Sequence, residues 1–223
     1  MGKMIKLKAQ DGHELDAYLA EPKGRPRGGI VVVQEIFGVN SHIKKVSDGW
    51  AADGYVALAP ALFDRVERGV ETGYGPGDIQ RGRELRGKIS TDDAVRDVRA
   101  AVRELARAGL RVGVVGYCWG GTMAWLAATR IEGLAGTVGY YGGGIADTAE
   151  ESPRCPVMLH FGETDASIPK EHYEKVRRLH PALPVHVYPA GHGFSCDERG
   201  SYEERSARLA RERTLAFFRQ HVG

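Results

Sequence analysis

Six short apolar runs punctuate the chain, at residues 30–33, 55–59, 112–116, 135–140, 157–161 and 185–188. They are continuous rather than alternating, and several are rich in β-branched residues. Runs of this length and character predict strands buried on both faces, as in a parallel sheet. Ahead of them, residues 4–8 and 15–20 flank Asp11-Gly12, which predicts an N-terminal hairpin.

Between the runs the period changes from continuous to helical. Residues 91–108 place Ala94, Val95, Val98, Ala101, Val102 and Leu105 on one face. Arg96, Arg99, Arg103 and Arg107 fall elsewhere, with Asp97 and Glu104 beside them, and read as a solvated face. Ser90 or Thr91 supplies a cap, and Asp92 and Asp93 an acidic first turn. Further helices are expected at 119–130, 170–180 and 202–220. Strands alternating with helices predict a doubly wound, mostly parallel α/β sheet flanked by helices. No repeat, low-complexity tract or linker divides the 223 residues, so a single domain spanning 1–223 is expected. Residues 65–87 are rich in glycine and charge and read as a long excursion on the rim of a site.

Composition narrows the picture by exclusion. Hydrophobic residues make up 42% and charged residues 27%, as in an ordinary globular protein. The balance of 31 basic against 29 acidic side chains leaves a net charge of +2, which argues against a nucleic-acid partner. No stretch approaches the roughly 20 apolar residues of a membrane span. The N-terminus lacks a signal-peptide run, and Lys6 spoils a myristoylation match. A cytoplasmic protein with no membrane partner is therefore expected. Three cysteines, Cys118, Cys155 and Cys196, form no disulfide framework, and no CxxC or HExxH suggests a metal.

The chemistry concentrates at Gly116-Tyr117-Cys118-Trp119-Gly120-Gly121. A β-branched strand ends at Gly116 and a helix begins after Cys118. This is the setting of a nucleophile elbow, G-x-S-x-G, with cysteine in place of serine. Glycines keep side chains out of a turn too tight to hold them. The helix N-terminus favours a thiolate. The Trp119 N–H is free to donate to an oxyanion. A nucleophile needs a base, and the base an orienting acid. Asp165 follows the strand at 157–161, with Glu163 as its rival. His192, between glycines, follows the strand at 185–188. His13, His42, His160, His172, His180, His186 and His221 lack that placement and read as structural. Glu35 ends the first parallel strand, at the sheet edge where ligands bind. The Ile36 N–H beside it is placed to be a second oxyanion donor.

These pieces together resemble the dienelactone hydrolase (carboxymethylenebutenolidase) family of the α/β-hydrolase fold. The matching segments are Asp11-Gly12-His13, Gln34-Glu35-Ile36-Phe37-Gly38-Val39-Asn40, Gly54-Tyr55, Gly116-Tyr117-Cys118-Trp119-Gly120-Gly121, Gly139-Tyr140-Tyr141-Gly142 and Ala190-Gly191-His192-Gly193-Phe194. The resemblance implies a hydrolase of lactones or activated esters, with Cys118 as nucleophile, His192 as base and acid, and Asp165 as orienter. Glu35 would contact the thiol at rest and help deprotonate it once substrate binds. Arg81 or Arg83, with Phe37 and Tyr140, would bind substrate. The family's arginine shortly after the histidine is missing, since the first arginine there is Arg199. The implied partner is a small ester or lactone, with no metal or organic cofactor, acted on by a monomer or small homo-oligomer. Two alternatives stand beside this: a general carboxylesterase or thioesterase on the same fold, and a non-catalytic relative that binds a small ligand or senses redox state through Cys118.

Overall fold

The computed structural model describes residues 2–223. Strands β1 (Lys3–Lys8) and β2 (Glu14–Ala20) form the expected antiparallel hairpin. The six apolar runs become β3 (Gly29–Val33), β4 (Val56–Pro60), β5 (Val112–Tyr117), β6 (Gly136–Tyr140), β7 (Val157–Gly162) and β8 (Val185–Tyr188). Together they make one eight-stranded sheet in the order β1-β2-β4-β3-β5-β6-β7-β8. Every pair from β4 to β8 is parallel. All residues of β3, β5, β6 and β7 are buried, which is why their sequences run apolar without alternation.

Six helices cover the sheet: α1 (Ser41–Ala52), α2 (Pro76–Gly87), α3 (Thr91–Arg107), α4 (Trp119–Arg130), α5 (Lys170–Leu179) and α6 (Glu204–His221). Gly29 faces Leu105 of α3, whereas Gly113, one residue out of phase with it in the register, faces Phe218 of α6. Side chains alternate between faces along a strand, so α3 and α6 lie on opposite sides. Trp50 of α1 meets Phe218 with ring centroids 5.3 Å apart, which places α1 beside α6.

Two expectations are corrected. The excursion at 65–87 is not a loop throughout, because its second half is α2. Gly75 and Pro76 start that helix, and the Asp78 carboxylate accepts from the Gly75 N–H at 3.1 Å. Proline suits the first helical position, where its missing N–H costs nothing. Nor does Asp97 belong to a solvated face. It is fully buried, and Arg65, in a 3₁₀ turn after β4, holds it with two hydrogen bonds of 2.7 Å. Arg65 also donates to Asp11 at 2.8 Å in the β1–β2 turn. One guanidinium thus ties α3, the hairpin and the β4 exit together. The remaining face of α3 is as expected: Ser90 caps it, and its apolar stripe is buried.

The strand order fixes where a site can form. The chain leaves β3 toward β4 and leaves its neighbour β5 toward β6. The loops after β3 and β5 therefore part in opposite directions and open a crevice between the strands' carboxyl ends. Glu35 and Ile36 follow β3, and Cys118 follows β5.

Candidate active site

Cys118 is the single residue between β5 and α4, and its backbone is at φ 54°, ψ −116°. A side-chain-bearing residue there costs about 1–3 kcal/mol, so its surroundings must hold it. Its N–H donates to the Tyr140 carbonyl at 3.0 Å, and its own carbonyl accepts from Gly121 N–H at 2.9 Å. The flanking glycines are sterically required. A Cβ on Gly116 would lie 1.8 Å from the Gly120 carbonyl oxygen, and one on Gly120 would lie 2.3 Å from that of Val33. The turn thus presses α4 against both β5 and β3. As the first residue of α4, Trp119 has no acceptor for its N–H within the helix.

His192 Nε2 is 3.2 Å from Cys118 Sγ, and His192 Nδ1 is 2.7 Å from Asp165 Oδ2. Asp165 is buried, and its other oxygen accepts from the Ser167 N–H at 2.8 Å. Glu163 is exposed and does not reach the histidine. Backbone bonds from Glu163 N–H to the Tyr188 carbonyl and from Thr164 N–H to that of Ala190 zip the two loops together. The Tyr141 hydroxyl and the Ser195 hydroxyl, 2.7 Å apart, brace the histidine loop from below. Burial alone would push the His192 imidazole down. The hydrogen bonds to Asp165 and Cys118 and the charges of both overcome it and raise the imidazole to about 10.

Glu35 differs from expectation. Its Oε1 accepts from Arg199 Nη1 at 3.0 Å, and no contact with the Cys118 thiol is formed. The carboxylate is 1% exposed, and a charge so buried needs a cation more than it needs a thiol. Arg199, the first arginine after His192, also lines the cleft. The turn at residues 193–199 folds back and brings it over the cleft, where its guanidinium stacks 5.6 Å above the Phe37 ring.

A cleft of about 360 Å³ opens over Cys118 and His192. Ile36, Phe37, Ile79, Trp119 and Ile168 form its apolar wall, and Arg83, Arg86 and Arg199 its cationic rim. Of the residues expected to bind substrate, Phe37 and Arg83 line it. Arg81 does not. It turns outward to pair with Glu67, because residues two apart on a helix point about 200° apart. Tyr140 does not either. Its ring lies in the core against Tyr117, and its hydroxyl meets that of Thr214 at 2.6 Å. Only its carbonyl serves the site, through the Cys118 N–H. Arg86 and Ile79 were not anticipated. Helix α2 brings them in by crossing the Ile36 carbonyl so closely that a Cβ on Gly82 would lie 2.0 Å from its oxygen.

Known proteins resemble this chain in sequence and in fold. The profile of the dienelactone hydrolase family matches residues 15–222. A carboxymethylenebutenolidase of Pseudomonas putida is 33% identical over 226 residues, covering 96% of this chain and 94% of its own. A Klebsiella pneumoniae crystal structure assigned to the dienelactone hydrolases superposes with a TM-score of 0.84 at 31% identity, covering 98% of this chain and 99% of that one. An esterase from Pyrococcus furiosus shares the fold at 14% identity, with a TM-score of 0.74 and coverage of 100% and 93%. By sequence and by fold, the chain belongs to the dienelactone hydrolase family and is a hydrolase of the α/β type.

Proposed function

We propose that this protein hydrolyses a lactone or activated carboxylic ester by acyl transfer through Cys118, His192 and Asp165. The observation that carries the reading is the continuous chain of 3.2 Å and 2.7 Å from sulfur to imidazole to carboxylate, mounted on a strained strand-to-helix turn. Cys118 sulfur attacks the carbonyl carbon. The oxyanion is held by the N–H groups of Trp119 and Ile36. The C–O bond breaks, and the proton on His192 goes to the departing oxygen. In a lactone that oxygen stays tethered to the acyl group. Water then attacks the thioester carbonyl, with His192 taking its proton, and the C–S bond breaks to release the carboxylic acid and return the Cys118 thiolate beside the protonated His192.

The electrostatics suit both halves of this cycle. At neutral pH a His192 raised to about 10 starts protonated, ready to act as an acid. Acylation removes the sulfur's hydrogen bond and charge, two of the causes that raise it. The imidazole then becomes a base in time for the water. The sign of the pH dependence follows. The protonated form is lost as pH rises through about 10, so kcat/KM for p-nitrophenyl acetate should fall on an alkaline limb near that value. The same group favours the folded state fully below its unfolded value of about 6.5, and that contribution shrinks as pH rises from there and is gone above about 10. A kcat/KM that is flat through pH 10 would remove His192 from the acid role.

Three arginines on the rim favour an acyl group carrying its own carboxylate, as the family name suggests. Arg83 is the cleanest probe, since it holds no ion pair of its own among the described residues. Arg83→Gln should lower kcat/KM for a carboxylate-bearing ester about tenfold and leave a neutral ester of similar size unchanged. Equal effects on both would favour a general carboxylesterase or thioesterase. The direct test of the nucleophile is alkylation. Iodoacetamide should abolish turnover in step with modification of the Cys118 peptide found by mass spectrometry. Loss of activity that tracks Cys155 instead sinks the assignment.

A further inference from the structure

Behind the cleft lies a group of side chains that the proposed cycle does not use as a set. Glu35, His42 and Cys196 each place one donor atom within 4.8 Å of the other two. They are 1%, 3% and 0% exposed. They come from three separate places: the end of β3, the first turn of α1, and the turn after His192. Two of their donor atoms are orphaned. Glu35 Oε2 and His42 Nε2, together with His42 Nδ1 on the other side of the ring, are buried with no hydrogen-bond partner among the described residues. Buried acceptors left unsatisfied are costly, and two converging on one point ask for a shared donor or a cation.

We propose that Glu35, His42 and Cys196 form a binding site for a zinc-like divalent cation, distinct from the Cys118–His192 pair. The donor set is one carboxylate oxygen, one imidazole nitrogen and one sulfur, which zinc accepts readily. In a tetrahedral zinc site donor atoms stand about 3.5 Å apart, so from separations of up to 4.8 Å the three need to close by about 1.3 Å at most. His42 Nδ1 faces the Asp197 carboxylate at 3.4 Å. A carboxylate behind the ring is the arrangement that orients a metal-bound imidazole through its other nitrogen. Glu35 can serve two partners at once, with Oε1 on Arg199 and Oε2 on the metal.

The site has an approach and room for a fourth ligand. A cavity of about 470 Å³ between α1 and α6 is lined by His42, Asp197, Ser195 and Tyr117 and opens to solvent. A water completes four-coordination, since Asp197 stands at the other nitrogen of the ring. Burial and the charge of Glu35 push the Cys196 thiol up to about 12. The metal must therefore displace that proton, which leaves to solvent as the sulfur–metal bond forms. The site stands whether or not Cys118 is the nucleophile.

The test uses the full-length Cys118→Ala protein, which removes the cleft thiol as a competing ligand. Titration with cobalt(II) should produce a thiolate-to-cobalt absorption band in the near ultraviolet that saturates at one equivalent and is bleached by zinc. Zinc should also raise the thermal midpoint. Adding Cys196→Ser should abolish the band, and His42→Gln should weaken zinc binding by about tenfold or more. Because Cys196 is fully buried, circular dichroism must show that its variant is folded. The His42 variant and zinc-edge X-ray absorption on the parent give independent readings. One sulfur at about 2.3 Å with nitrogen and oxygen near 2.0–2.1 Å is expected. No band at millimolar cobalt, a band undiminished by Cys196→Ser, or a zinc shell without sulfur overturns the proposal. Those outcomes would leave a buried water as the partner of both orphaned atoms.

Discussion

Cys118→Ala should lower kcat/KM for p-nitrophenyl acetate by at least about a thousandfold while leaving the fold intact. The size of the loss follows from the arrangement around the sulfur. Removing it leaves the Trp119 and Ile36 N–H groups and the cleft in place, so activity should not fall to the level of water. It removes the attacking sulfur and one of the groups that keep His192 protonated. A second consequence is therefore expected in the same variant. The His192 imidazole should titrate below the value of about 10 that it holds beside the sulfur, which its NMR resonance can follow. Stability should change little, because Cys118 is only partly buried, and alanine at its positive φ is about as strained as cysteine. If the alanine protein turned over the ester as fast as its parent, Cys118 would lose the role proposed for it.

The second large effect concerns stability alone. Arg65→Met should destabilise the protein by about 3–5 kcal/mol, because it leaves the Asp97 carboxylate fully buried without its cation. For a chain of this size that corresponds to a fall in Tm of roughly ten degrees. Burial already pushes the Asp97 carboxyl above its ordinary range despite Arg65, so little else in its surroundings supports the charge. The double change Arg65→Met, Asp97→Leu should recover most of the loss, since apolar groups of similar size then fill the same space. Urea unfolding of the two proteins decides it. Equal midpoints for the single variant and its parent would mean that solvent reaches Asp97.

The two cases mark where the sequence could be read and where it could not. The strands were legible because burial on both faces writes itself as an uninterrupted apolar run. The elbow was legible because the turn admits only glycine at positions 116 and 120. Asp165 and His192 were legible because each follows a strand directly, and the fold brings strand ends to one edge. Asp97 was missed because it sits in a helix among arginines, and nothing local reveals that its partner is 32 residues away in Arg65. Helix α2 was missed because Ile79 and Leu85 are almost its only apolar residues. Its start, proline followed by aspartate two positions on, was the usable signal. Tyr140 was misplaced for a related reason. When both faces of a strand are buried, an aromatic residue gives no sign of which face it takes. Arg199 needed the course of a turn, and spacing alone does not supply that.

The crevice between β3 and β5 also divides the molecule by tolerance to change. Every group assigned to chemistry leaves the sheet at its carboxyl edge. The connections at the opposite edge, such as Gly109 after α3 and Gly133 after α4, carry none of them. Both glycines have open space where a side chain would begin. Lengthening the chain at those tips should leave turnover untouched, whereas lengthening it between β4 and α3 should reshape the substrate range without disturbing the sulfur. A lineage built on this scaffold can therefore alter its diet through one segment, residues 66–90, and keep its reaction.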